Sequence, residues 1–592
     1  MTMSAAPARL RAGLPLWPAI WTGCFVLLLA LWSTIGLPDG PVETMVMGND
    51  AGMRLLTLRD LSAGQGWFDA RQPRLGLDGT EMHWSRLVDA PMLVLVAALE
   101  PVLGRAGAEY ALLLVWPLAM LAAVLATCAM IARRLGGDLA ALLTVGAGLL
   151  TLMLRWRFMP GDIDHHNVQV LLLVLALWGV LTRHESRWAA PGAGLAIAAS
   201  LCVGVETLPL LTLLGLTVAG LWATGGEAER APALGFTLGL GGGLTVLFPL
   251  TAPEMAWRGG FCDAISTDLA IPVLAGAALL AGLAWTLSER AAPVRGAALV
   301  GGGAALAAAV AVFMPTCLSN PYAALDPFLV EHWLKQTDEA KGIAMKTAEG
   351  ELSYLVIAVI SALAAIALPL TIGRAGLLPG ALIGLGLAIA TYQVRGLLSV
   401  VVLTVLALSV VAAILRDRAK ARPAPATTGL SAAAVFLLAG AATLLGPGSK
   451  ILEPRPTATA STPSCAEAGA WEALAALPPG RVANGSNAGV PILLGTGHSV
   501  LAAPYHRNQA GLRVAYTLML AETDAEAEAV LRRTGADYVA LCPGDGDVAT
   551  LIDGHPDSFA ARIAAGAVPA FLRPVPGTET AAARLFTVGP QS

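Results

Sequence analysis

Charge is scarce in this chain. Only 13% of its 592 residues are Asp, Glu, Lys or Arg, about half the roughly 25% of a soluble globular protein. Aromatic residues make up 6%, and the formal net charge is −4. A chain with no basic excess carries no electrostatic footprint for nucleic acid, so a nucleic-acid partner is not expected. No cleavable signal is expected either. The first apolar run, about 14–37, is long and has no small-residue cleavage pattern after it. What fills the chain is apolar: 56% hydrophobic residues, gathered in runs instead of scattered singly. The runs from Gln169, Val294 and Gly396 each supply the roughly 20 residues that cross a bilayer as a helix.

The fold class is therefore a polytopic α-helical membrane protein. Apolar runs predict about thirteen membrane helices, near 14–37, 109–132, 139–156, 167–182, 190–206, 208–223, 232–250, 268–287, 296–314, 352–372, 376–392, 396–415 and 429–447. Arg9 and Arg11, Arg133 and Arg134, Arg183 with Arg187, Arg230, Arg290 with Arg295, Arg374 and the 416–422 cluster fall in alternate short loops. All lie on one side if the N-terminus is cytoplasmic. Residues 1–447 then form a membrane domain with outer loops 38–110, 156–167 and 315–351, and residues 448–592 a small α/β soluble domain outside. The expected location is the inner or plasma membrane. Cys262, Cys317, Cys465 and Cys542 all fall on the outer side, where an oxidising exterior permits the pairs Cys465–Cys542 and Cys262–Cys317.

Within the first outer loop, 53–61 has helical spacing, with Leu55, Leu58 and Leu61 on one side and Arg54 and Arg59 off it. The apolar segment 92–103 is too short to cross and is expected to lie in the interface or re-enter it. The terminal region opens on a Pro/Thr/Ser linker at 453–463. It then offers strand-like runs at 481–483, 499–503 and 536–542 and an amphipathic helix at 523–534, in a domain large enough to hold its own core.

Chemistry concentrates at Arg157-Phe-Met-Pro-Gly-Asp162-Ile-Asp164-His165-His166. Two carboxylates two residues apart on extended backbone point the same way. Charges kept at a bilayer surface hold a divalent cation or move a proton. The competing account is an N-cap for the following helix, and Asp50 could likewise cap the 53–61 helix. His165 and His166 are candidate metal ligands or phosphate neighbours, or plain interface residues. Arg395 stands alone in an apolar stretch and either binds phosphate or snorkels to headgroups. Glu339 has Asp338, Glu349 and Glu351 as alternatives. Glu206, bounded by apolar residues, reads as part of a short outer turn facing the same cavity. His83, Trp84 and Arg86 suit sugar or headgroup contact, and Tyr505, His506 and Arg507 either shape an acceptor pocket or form a turn.

This layout resembles the GT-C superfamily of membrane glycosyltransferases, and most closely the catalytic subunit of single-subunit bacterial and archaeal oligosaccharyltransferases. It consists of an Asp soon after helix one, an Asp-x-Asp in the second outer loop, thirteen helices and a terminal outer domain. The resemblance covers nearly the whole chain as architecture and is patchy as motif. It implies that Asp50, Asp162 and Asp164 bind Mg²⁺ or Mn²⁺. It also implies that Glu339 takes the place of the glutamate of the fifth outer loop and that Arg395 binds the donor phosphate. The Asp-His-His string is similar to archaeal members. Two departures stand out. The residues before Glu339 do not match the family motif. The Trp-Trp-Asp-Tyr-Gly motif that reads asparagine sequons is absent, with Asn484–Gly489 and Ala503–Asn508 in a comparable place. The resemblance implies transfer of a sugar or oligosaccharide from a polyprenyl-(di)phosphate donor to a glycan, lipid or protein acceptor. A transporter or flippase, or a non-catalytic envelope scaffold, would be the alternative. Charges gathered at one face instead of the midplane speak against a carrier.

Overall fold

The computed structural model describes residues 16–35, 40–152, 157–315, 325–421, 438, 440, 441, 443–445, 465, 468–578 and 581–589. Each expected apolar run from 14–37 to 396–415 falls on a helix, and the run at 429–447 lies mostly outside the described residues. Helix α1 (Leu16–Ile35) leads into α2 (Gly48–Ser62) and a short hairpin of β1 (Arg71–Gln72) and β2 (Thr80–Glu81). The helical run α3 (Arg86–Leu152) is broken at Gly104 (φ 68°) and Gly137 (φ 82°). Glycine reaches these left-handed angles without steric cost. The run therefore contains the short apolar segment and the two longer helices expected of it.

Then follow α4 (His166–Leu181), α5 (Ala189–Val203), α6 (Leu208–Gly225), α7 (Glu227–Thr251), the short α8 (Glu254–Arg258), α9 (Thr267–Leu287) and α10 (Ala292–Phe313). After two short helices, α11 (Pro327–His332) and α12 (Ile343–Ala348), come α13 (Leu352–Ile372), α14 (Leu377–Tyr392) and α15 (Leu397–Ala421). Among the described residues, seven helical runs are long and apolar enough to cross a membrane, and three shorter apolar helices accompany them. The protein is a multi-pass membrane protein.

Small residues set the closest helix approach. A Cβ on Gly194 of α5 would stand 2.1 Å from the Phe236 carbonyl oxygen, and one on Gly239 of α7 1.9 Å from that of Pro191. Without a hydrophobic drive inside lipid, backbone-to-backbone packing of this kind holds helices together.

The terminal region forms a five-stranded sheet of order β4-β3-β5-β7-β6. Strands β3 (Arg481–Asn484), β4 (Ser499–Val500) and β5 (Tyr538–Leu541) pair in parallel, while β7 (Arg584–Val588) runs antiparallel to β5 and to β6 (Leu572–Pro574). The helix Asp524–Thr534 carries a capping box between Thr523 and Glu526, and Gly535 closes it in the left-handed conformation. Cys465 and Cys542 are joined by a disulfide. Cys317, and with it the pairing to Cys262, lies outside the described residues.

Arg54, off the leucine stripe of α2, is buried all the same. It is 1% exposed, ion-paired to buried Asp89 and stacked under Trp84 at 4.7 Å. The paired carboxylate removes the penalty that makes a buried guanidinium unexpected. The core of the terminal domain is extended by residues from outside it. Met53, Leu56, Leu75, Met82 and Trp84 of the first loop pack with Val482, Val490, Val500 and Tyr505, and Leu329 and Trp333 pack with Leu512 and Tyr516. The backbone joins as well, since Gly76 N–H donates to Val500 O at 2.8 Å and Val500 N–H to Arg74 O at 2.8 Å.

Candidate active site

The site is assembled by one glycine. Gly161 takes φ +94°, its N–H donates to Leu113 O in α3 at 2.8 Å, and its carbonyl accepts from Met47 N–H at 3.1 Å. A Cβ there would lie 1.9 Å from Met45 O. That close approach brings the Asp162–Asp164 loop against the N-terminus of α2, whose first turn holds Asp50.

Neither aspartate group caps a helix. The N-cap of α2 is Met47 and that of α4 is His165, and neither makes a side-chain cap bond. Asp162 Oδ1 instead accepts from Asp164 N–H at 3.2 Å, and Asp164 Oδ1 from His165 N–H at 2.6 Å. Asp164 is 0% exposed, and its Oδ2 has no hydrogen bond. The basic nitrogens nearest that oxygen are His166 Nε2 at 3.5 Å and Arg157 Nη1 at 3.9 Å. A buried carboxylate oxygen left bare is costly unless something arrives to pair with it.

Arg157, the one described non-glycine residue at positive φ (64°), reaches between the carboxylates. Its Nη1 is 4.0 Å from Asp162 Oδ2 as well, and its Nη2 pairs with Glu339. The other oxygen of Glu339 accepts from Arg395 Nε at 2.9 Å. Two arginines and one glutamate thus form a row along the aspartates. On the other flank, His165 lies between two acids: Nδ1 is 2.6 Å from Asp164 Oδ1 without hydrogen-bond alignment, and Nε2 donates to Glu206 at 3.3 Å. Gln169 Nε2 donates to the second oxygen of Glu206 at 2.5 Å, and the Gln169 carbonyl oxygen lies 3.0 Å from His166 Nδ1.

The charges act on one another. Burial, then Asp164 and Glu339, push the Asp50 carboxyl up from its ordinary range. Burial raises Asp162 to about 7, with Arg157 opposing and Asp164 adding. Burial would raise Asp164 as well, but His165, His166 and Arg157 outweigh it and hold this carboxylate ionised. Burial disfavours the His165 imidazolium, yet Asp164 and Glu206 overcome it and raise its pKa to about 10. Glu339 and Glu206 are held low because Arg395 with Arg157, and His165 with His166, outweigh burial.

A carboxylate kept bare, two neighbours that burial makes reluctant to ionise, and an imidazole within reach fit a divalent cation. One ligand atom each from Asp164, His165 and His166 lies within 4.8 Å of the others. Asp50 and Asp162 are not in that tightest group, although both are coupled to Asp164 through charge.

The remaining expected residues divide. Tyr505 belongs to the site: its hydroxyl donates to Asn49 O at 3.0 Å, and its ring meets Trp84 edge-on at 5.8 Å. Trp84 also lies 6.1 Å from the His165 ring. His83, His506 and Arg507 gather next to it around Asp263. Arg86 stands apart. It is 1% exposed, and its donors go to Asp89 and to the Trp67 and Asp69 carbonyls. Sequence reading passed over Arg157 and Asp263. Each had a signal: Arg157 begins the Asp-x-Asp string, and Asp263 follows Cys262 in a polar loop between apolar helices.

No protein-family model and no curated protein sequence matches the chain. Solved structures do. The oligosaccharyltransferase AglB of Archaeoglobus fulgidus, in complex with an inhibitory peptide and a dolichol-phosphate, superposes with TM-score 0.63 at 13% identity over 90% of this chain and 72% of that one. The Archaeoglobus fulgidus oligosaccharyltransferase tethered to an acceptor peptide containing the NVT sequon gives 0.61 at 12% identity over 97% and 74%. Its complex with Zn and sulfate gives 0.57 at 13% identity over 88% and 67%. The chain shares the fold of these oligosaccharyltransferase structures.

Proposed function

We propose that the protein is a metal-assisted GT-C glycosyltransferase that moves a sugar or oligosaccharide from a polyprenyl-(di)phosphate donor to an acceptor at the outer face of the inner or plasma membrane, with its N-terminus cytoplasmic. The observation that carries this reading is the meeting of Asp50, Asp162, Asp164, Glu339, Arg157 and Arg395, drawn from four separated stretches of chain, at one place beside the membrane helices.

In this reading Asp50, Asp162 and Asp164, with His165 or His166, hold Mg²⁺ or Mn²⁺. Oxygen donors at the centre suit such hard cations. The bound cation supplies positive charge that offsets the leaving phosphate. Arg395 presents its guanidinium to the donor phosphate, a geometry in which arginine binds bidentately. Glu339 ties Arg395 to Arg157 until substrate displaces one of them. His165 keeps Asp164 charged, and Glu206 orients His165. The solved dolichol-phosphate complex of AglB supports the carrier class. The absent sequon motif leaves the acceptor open among glycan, lipid and protein.

A deletion strain complemented with wild type, Asp162→Asn or Asp164→Asn tests the reading through glycolipid and glycoprotein profiles. Loss of charge stabilisation of this kind costs about 10²–10³-fold in rate. Glycan product should therefore fall at least that far, with folded protein still in the membrane. Unchanged glycan profiles on deletion would overturn it. A scaffold would tolerate both substitutions, and a flippase would lose flux instead of transfer.

A further inference from the structure

Next to the aspartates lies a second polar cluster that the transfer reading leaves without a task. Asp263 projects from the loop between α8 and α9. His506 Nε2 donates to its Oδ2 at 2.6 Å, and Arg507 Nη2 donates to its two oxygens at 2.8 and 2.9 Å. Arg507 stacks over Phe261 at 4.4 Å. The His83 ring centre is 5.7 Å from that of His506. Burial, then Arg507 and His506, push the pKa of His83 down to about 3, so this ring is neutral. His83 Nδ1 and Arg507 Nε are both buried with no hydrogen-bond partner. The cluster is open enough to be reached, since the His506 side chain is 33% exposed.

The cluster adjoins the aspartate site. Tyr505, one residue before His506, bonds to Asn49, one residue before Asp50. Trp84, one residue after His83, contacts both Tyr505 and His165. His83 feels the charges of both Asp263 and Glu206.

We propose that Asp263 and His506 form a carboxylate–imidazole pair that takes the proton from an acceptor hydroxyl, and that the acceptor is therefore an alcohol, of a sugar, lipid or side chain, and not a carboxamide. Three points support it. An imidazole oriented by a carboxylate through one nitrogen is built to accept a proton at the other. Nδ1 of His506 makes no hydrogen bond among the described residues. A mix of Asp, Arg and His beside aromatic rings also presents the donors and acceptors that hydroxyl groups need.

The step balances. The acceptor oxygen attacks the anomeric carbon and forms a new C–O bond. The bond from that carbon to the donor phosphate oxygen breaks, and its electron pair leaves on the phosphate. The hydroxyl proton moves to His506 Nδ1 and is later released to water. Asp263 stabilises the imidazolium without taking the proton, so it acts as a positioning residue.

This inference rests on the glycosyl-transfer reading, and one experiment separates the two. Membranes of a deletion strain hold whatever lipid-linked donor and unmodified acceptor the cell makes. Purified full-length protein with Mn²⁺ is added, and glycan product is read by mass spectrometry with identification of the linkage. Expected are an O-glycosidic product, a fall of about 10²-fold for His506→Gly, recovery of part of that loss with added imidazole, and unchanged Mn²⁺ affinity. Asp263→Asn should lose product and Asp263→Glu regain some of it. An amide-linked product, full activity of His506→Gly, or a deficit that imidazole does not relieve would overturn the hydroxyl assignment while leaving transfer in place. No product from wild type would overturn transfer itself.

Discussion

Asp162 is the residue whose environment makes the sharpest demand. Burial outweighs Arg157 and pushes its carboxyl up to about 7. A ligand carboxylate must be ionised, so below pH 7 a proton competes with the cation. Mn²⁺ affinity, followed by electron paramagnetic resonance, should fall about tenfold per pH unit as pH drops below 7. Above 7 the curve reports on His165, which keeps its proton to about 10. A plateau between pH 7 and 9 means that His165 stays an imidazolium beside the aspartates, and a continued rise means that it ligates. Arg157 offers a second test at this scale. Its guanidinium lies 3.9–4.0 Å from both carboxylates of the Asp-x-Asp, where it competes with an incoming cation. Arg157→Gln should tighten Mn²⁺ binding several-fold while lowering transfer, a split that loss of structure cannot produce.

At the scale of elements, the site depends on how two loops meet. Gly161 combines a left-handed φ with a Cβ position 1.9 Å from a backbone oxygen, whereas Gly48, at φ +82°, has open space around it. Gly48→Ala should carry only conformational strain, about 1–2 kcal/mol. Gly161→Ala adds a clash with Met45 O that no side-chain rotation relieves. It should lower the thermal midpoint further and weaken Mn²⁺ binding at least tenfold, because Asp162 is pushed away from Asp50. Equal effects of the two substitutions would mean that the loop contact does not set the site. Much at this scale was legible in the chain. Gly104 and Gly137 separate apolar runs that length alone had already divided, and Thr523 with Glu526 forms the capping box that opens the Asp524–Thr534 helix. Arg54 was not legible. Helical spacing showed it off the leucine stripe, but its partner Asp89 lies 35 residues away. β6 and β7 also went unread, because they are short and their pairing, not their composition, makes them strands.

For the whole molecule, the membrane helices and the terminal domain are tied through shared cores. The hairpin loop continues the sheet at Val500, Arg74 donates to the Leu493, Thr496 and His498 carbonyls, and Asp326 pairs with Arg513. Tyr505 is therefore held against Asn49, next to Asp50, by a domain anchored at several points. The Cys465–Cys542 disulfide closes a separation of 77 residues at the start of that domain. On the chain-entropy account such a closure contributes about 4 kcal/mol. Cys465→Ser should make the terminal domain sensitive to limited proteolysis, and transfer should fall with it because the roof of the site loosens. Proteolysis that is unchanged would mean that the shared cores alone hold the domain.

The sequence by itself determined the membrane helices, the placing of Asp50, Asp162, Asp164, Glu339 and Arg395 in loops and helix ends, and the strand-and-helix character of the terminal region. Each follows from local apolar length, periodicity and polar residue type, which a chain carries wherever it folds. Only the tertiary structure decided which of those charges meet. Arg157 between two aspartates, Glu339 between two arginines, and Asp263 under His506 are contacts between segments up to 243 residues apart. Glu339 and Asp263 find their cationic partners in distant segments that no local pattern specifies, while one oxygen of Asp164 is left bare.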